Sequence, residues 1–170
     1  IEVACSLSAD RAVRLDVVGP GPDLDRLRAR AQQVGRPDLR IEVHGAVAAL
    51  VRDQLYAHAD ALLFLPRHDE HEFEGLGLVV LEAAAFGCPA VVLHCGGSRF
   101  GVAEGETGLV LDEDAPVDAI AEAVGTLIGC ARTRASARAY AARFSLAAWQ
   151  QRVRAISEGG RPDWQWPAHP

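Results

Sequence analysis

Lysine is absent from this chain of 170 residues, so all 17 basic side chains are arginine. Against them stand 23 acidic residues, and the net charge is −6. That balance excludes a broad phosphate-neutralising surface and with it a nucleic-acid partner, although a local cationic pocket stays open. No Cys-x-x-Cys pair occurs. The cysteines stand singly at 5, 88, 95 and 130, which excludes a zinc ribbon or a thioredoxin motif. They read as small buried thiols in a reducing cytosol. No apolar run approaches the ~20 residues of a membrane span, and no signal peptide is present, so a cytoplasmic location is expected. The first residue is Ile1 rather than Met, which reads as a piece of a longer protein.

What is present has a globular balance. Hydrophobic residues make up 49% and charged residues 24%, enough for one domain with a core of its own. Short runs rich in Val, Leu and Ile alternate with longer helical patterns. Residues 15–18, 41–44, 61–65, 89–93 and 108–111 read as strands, several nearly continuous, as parallel strands covered on both faces should be. Helices are expected over about 23–34, with Leu24, Leu27, Ala31 and Val34 inward and Gly35 as the stop, and over 48–58, with Val51 and Leu55 inward. Others should start near Leu78 and at Pro116 and cover about 131–143 and 145–157. The alternation implies an α/β domain, a mostly parallel sheet flanked by helices, with ligands bound beyond the carboxyl ends of the strands. Residues 1–157 form that domain, and 158–170, rich in Pro, Gly and Trp, read as a flexible tail.

The segment Glu74-Gly-Leu-Gly-Leu-Val-Val-Leu-Glu82 concentrates the chemistry. Gly75 and Gly77 permit a sharp turn with close approach of backbone to a ligand. The helix behind them presents free N–H groups and a positive dipole end, an anion site that suits a diphosphate. Glu74 could accept hydrogen bonds from sugar hydroxyls. Glu82, one turn into the helix, could hold a vicinal diol such as ribose. Taken alone, a loop carboxylate and a helix-face charge are the commoner meaning of such a pair.

The wider pattern resembles the Glu-x7-Glu segment of the retaining group 1 glycosyltransferases of GT-B fold. Further stretches agree in order: Leu15 to Pro22, Val43-His-Gly45, Leu55 to Asp60 with Leu63 to Pro66, Gly96-Gly97 with Glu104 to Leu109, and Arg143-Phe-Ser145 leading to Trp149. The resemblance covers about residues 10–157 and implies the C-terminal, Rossmann-like half of the fold, without its first strand and without the N-terminal acceptor domain. It implies that Glu74 acts at the donor hexose and that the backbone of Gly75, Leu76, Gly77 and Leu78 holds the diphosphate. Glu82 would then bind ribose, and Gly19 and Gly21 would lie near the nucleotide. The implied substrate is a nucleotide-diphosphate sugar, transferred with retention, with no cofactor and no bound metal. The absent half leaves room for peripheral membrane association.

Departures matter too. The family's diphosphate-binding Arg and Lys belong to a loop upstream of Ile1, so the isolated chain is expected to be inactive. Where the family often has Gly-Gly-x-Pro-Glu, this chain has Gly96-Gly-Ser-Arg-Phe100, which puts the local structure there in question. Arg99 reads as a surface side chain rather than a replacement cation. The run Arg67 to Phe73 is dense in His, Asp and Glu but lacks metal-ligand spacing. Gly19-Pro-Gly-Pro-Asp-Leu24 fails the dinucleotide pattern at its third glycine. The alternatives are an inactive nucleotide-sugar-binding module, a sugar-nucleotide epimerase or a glycogen-synthase-like relative.

Overall fold

The computed structural model describes residues 1–7, 10–67 and 75–160. In chain order the elements are α1 (Glu2–Ser6), β1 (Val13–Val18), α2 (Leu24–Gln32), β2 (Leu39–Gly45), α3 (Ala49–His58), β3 (Leu62–Phe64) and α4 (Leu78–Ala85). There follow β4 (Ala90–Leu93), a 3-10 turn at Ser98–Gly101, β5 (Gly108–Leu111), α5 (Val117–Leu127), α6 (Ala131–Ala142) and α7 (Leu146–Ser157). Every strand pairing is parallel. Among the described residues the strands form two sheets, β1–β2 and β3–β4–β5.

The core lies on both faces of β4, whose four residues are all buried. Successive side chains of a strand point to opposite faces. Val91 and Leu93 therefore meet Ile120, Val124 and Leu127 of α5, with Val3 of α1. Ala90 and Val92 meet Val80 of α4 and Val102. Each such Val or Leu contributes about 1.5–3 kcal/mol when fully buried. Alanines at 84, 137 and 141 let α4 and α6 approach closely.

Three expectations need correction. First, β1 and β2 are not covered on both faces. Arg14 and Asp16 pair in register with Arg40 and Glu42, and these residues form a salt-bridged polar face. The strands alternate, as a sheet with one wet face does. Second, Val51 does not point inward. It is 41% exposed and Leu50 is 70% exposed, whereas Tyr56 is buried against Ala83 and Cys88. The large ring of Tyr56, packed 6.2 Å from that of Phe86, decides how α3 is rolled. Third, Cys5 and Cys130 are only half-buried, while Cys88 and Cys95 are buried.

Element ends follow side-chain chemistry. α2 stops at Gln32, before Gly35, with the Gln33 N–H on the Arg30 carbonyl at 3.1 Å and the Val34 N–H on that of Ala31 at 3.3 Å. Pro116 is the N-cap of α5 rather than its first helical residue. α1 is too short to show a period in the sequence. Arg36 holds it by donating from Nη1 to the carbonyls of Cys5 and Leu7 at 2.8 and 2.7 Å. The expected flexible tail falls, from residue 161 on, outside the described residues.

Candidate functional site

The glycine turn is built as its residue types require. Gly77 caps α4 in the left-handed region, φ 65° and ψ 55°, a conformation that glycine adopts freely. A Cβ there would also stand 2.9 Å from the Phe64 ring at the end of β3. The Val80 N–H closes the first turn on the Gly77 carbonyl at 2.8 Å. Gly75 is exposed, Leu76 half-buried and Leu78 65% exposed. Glu82 is the fifth residue of α4, one turn in, with its side chain 44% exposed. Beside it opens a groove of about 540 Å³ lined by Leu76, Leu78, Leu81, Arg138 and Phe144. Glu74 and residues 68–73, the candidate metal-type run among them, lie outside the described residues.

The segment after β4 presses on this turn. A Cβ on Gly97 would sit 1.7 Å from the Gly75 carbonyl oxygen. Gly101 meets Val80 in the same way, at 3.0 Å. Ser98, fully buried, donates to the Leu93 carbonyl at 2.7 Å and accepts from the Cys95 N–H at 3.0 Å. Tyr140 of α6 donates to the Phe100 carbonyl at 2.9 Å. Phe100 thus belongs to an ordered 3-10 turn, and the departure from the Pro-Glu pattern leaves the local structure intact. Arg99 is half-buried, short of the surface position expected for it.

Gly19 and Gly21 stand in the turn after β1. The Gly19 N–H donates to the Gly45 carbonyl at 2.9 Å, which ties the ends of β1 and β2 together. Gly19 has φ 138° and Gly45 φ 72°. Gly21 has no positive φ and faces open space, so nothing within the described chain demands glycine there. Both glycine turns lie at carboxyl ends of parallel strands, one in each sheet. Gly75 to Glu82 are one structural unit with Gly97, whereas Gly19 and Gly21 belong to a unit with Gly45.

Two features were not read from the sequence. One is Arg52 of α3, whose Nη1 lies 3.6 Å from Glu82 Oε2. The other is the polar network on β1 and β2. Asp16, Glu42 and His44 bring ligand-type atoms within 4.8 Å of one another. Arg14 already bridges Asp16 and Glu42 at 2.9 and 3.3 Å, and Arg40 reaches Glu42 at 2.6 Å. The carboxylates are neutralised by arginine, so the network needs no further cation. Partial burial pushes the Asp16 carboxyl up, but hydrogen bonds from Arg14 and His44 outweigh it and hold it below the usual value.

Parallel strands joined through helices, with a glycine turn opening a helix at a strand end, define a Rossmann-like α/β domain. Residues 1–129 match the family model described as glycosyl transferases group 1. The chain belongs to this family of glycosyltransferases. It is 39% identical over 146 residues to a GDP-mannose-dependent alpha-(1-6)-phosphatidylinositol monomannoside mannosyltransferase of Mycolicibacterium smegmatis. That match spans 82% of this chain and 37% of the relative, so the chain covers little more than a third of the relative's length. In fold it is similar to the lipopolysaccharide outer core galactosyltransferase WaaB, with a TM-score of 0.70 and 20% identity, over 93% of this chain and 44% of that one. A second fold likeness is to Anabaena Alr3699/HepE in complex with UDP-glucose, with a TM-score of 0.67 and 23% identity, over 92% and 44%. No helix among the described residues is long and apolar enough to cross a membrane.

Proposed function

We propose that this chain is the donor-binding half of a glycosyltransferase that takes a nucleotide-diphosphate sugar and transfers the hexose with retention of configuration. The observation that carries the reading is the left-handed Gly77 turn at the start of α4 with Glu82 one turn behind it, inside the family match. The start of α4 would meet the diphosphate, where the helix dipole favours negative charge and peptide N–H groups are available. As the sugar–phosphate bond breaks, charge grows on the leaving diphosphate. Donors already aimed at it stabilise that charge without reorganising. Glu82 would accept from the ribose hydroxyls and Glu74 from the hexose. No metal takes part in this reading. This reading includes one more parallel strand, which would join the sheets β1–β2 and β3–β4–β5 as in a doubly wound fold. That strand and an acceptor domain belong, in this reading, to the rest of the protein, so these residues alone bind donor without transferring it.

The mannosyltransferase relative makes GDP-mannose the first donor to test, with UDP-glucose beside it. Calorimetric titration should show weak, saturable binding of at least one. Glu82→Ala should weaken the nucleoside diphosphate itself. Glu74→Ala should instead erase the preference for sugar-bearing over bare nucleotide. Preference for NAD over every nucleotide sugar would sink the proposal, and sugar transfer by these 170 residues alone would refute their inactivity.

A further inference from the structure

α3 is rolled so that Arg52, rather than Val51, faces α4. Its guanidinium is held from behind by Asp53 Oδ1, 3.3 Å from Nε and 3.1 Å from Nη2. The remaining arm, Nη1, lies 3.6 Å from Glu82 Oε2. Arg52 is pushed above its ordinary pKa first by the hydrogen bond to Asp53 and then by the charge of Glu82. One turn further along α3, buried Tyr56 packs on Phe86 and fixes the spacing of the two helices. The pair itself stays open at the rim, with side chains 39% and 44% exposed. An anchored planar guanidinium has less freedom to lose when it engages a second carboxylate.

We propose that Arg52 is a positioning residue for Glu82, a role that rests on Glu82 being the ribose-binding carboxylate. Glu has several rotamers to lose on ligand binding. Arg52 restricts them beforehand by engaging one carboxylate oxygen, Oε2. The other, Oε1, then turns toward the ligand as an acceptor for two vicinal hydroxyls. The ligand class so selected is a ribonucleotide with both ribose hydroxyls free. A 2′-deoxy nucleotide loses part of what Arg52 prepares.

The test is a double-mutant cycle read by calorimetry, with GDP-mannose and UDP-glucose as probes and amide spectra to confirm that each variant is folded. Arg52→Ala should weaken binding about two- to fivefold, the range for an exposed ion pair. Arg52→Lys should recover most of the loss. In a Glu82→Gln background Arg52→Ala should have little further effect, and the coupling should shrink at high salt. The 2′-deoxy form of GDP should respond to Arg52→Ala less than GDP does. Equal losses in both backgrounds would mean that Arg52 acts on the ligand independently of Glu82, and the proposal would fail. If Glu82→Gln weakens binding while Arg52→Ala does not, Arg52 alone loses its role. If Glu82→Gln changes nothing, or the folded wild type binds neither probe, the Glu82 reading falls and the Arg52 proposal falls with it.

Discussion

At Gly97 the backbone is unremarkable in angle, φ −90° and ψ 5°, so any residue could adopt it. The constraint is contact: a methyl group would stand 1.7 Å from the Gly75 carbonyl oxygen. Gly97→Ala should therefore push the β4 segment off the glycine turn. The expected cost is about 1–3 kcal/mol, in line with overpacking elsewhere, together with loss of nucleotide binding. Denaturant unfolding and calorimetry check the two effects. Gly77→Ala adds a backbone penalty of about 1–2 kcal/mol to its clash with Phe64, so Phe64→Ala should rescue it only in part. The cysteines separate by environment. Burial pushes the Cys88 thiol up to about 12. The hydroxyl of Thr133, 2.9 Å from Cys130 Sγ, pulls the Cys130 thiol below its ordinary value. Iodoacetamide at mildly alkaline pH should alkylate Cys130 well before Cys88, as peptide mass spectrometry would show.

Between elements, arginines of α6 finish helices that are not their own. Arg134 donates to the carbonyls of Ala59 and Ala57 at the end of α3, at 2.6 and 2.9 Å. Arg138 donates to the Phe86 carbonyl at the end of α4, at 3.1 Å. Helix ends leave carbonyls without intrahelical partners, and a cation there also suits the dipole. Arg134→Ala should thus cost about 1.5–3 kcal/mol, the range for hydrogen bonds to charged groups, and Arg134→Lys should restore only part. The midpoint of urea unfolding measures this. Arg52 differs in kind, since its partner Glu82 is a candidate ligand-binding group rather than a helix end.

For the molecule as a whole, stability should be uneven. β4 is paired on both sides, whereas among the described residues β1 and β3 pair on one side only. The Gly19 and Leu62 N–H groups point to their sheet partners, so alternation turns those of Asp16 and Leu63 toward the unpaired edges. Amide exchange should be fast at Asp16 and Leu63 and slowest along Val91 to Leu93. The acid limb has its own sign. Because the Asp16 carboxyl is lowered from 3.8, its contribution is complete above that value and is lost as pH falls through its folded value. Asp16→Asn should flatten the acid side of the stability curve, measured by unfolding below about pH 4.

Much of this protein was already legible along the chain. Runs such as Pro89 to Leu93 announce a buried strand, because a short, Val-rich apolar run between turn signals suits a strand covered on both faces. Gly75 and Gly77 before Leu78 announce a turn into a helix, because glycine alone supplies a left-handed cap without strain. Relations between distant side chains were not legible. The roll of α3 depends on where Tyr56 finds room against Phe86, and the roll decides that Arg52, not Val51, meets Glu82. Likewise Gly97 has to be glycine because Gly75, far from it in the chain, lies against it. Local pattern is written in spacing, which the sequence contains by itself. Who touches whom across two helices depends on volumes filled in three dimensions, and only the tertiary structure decides that.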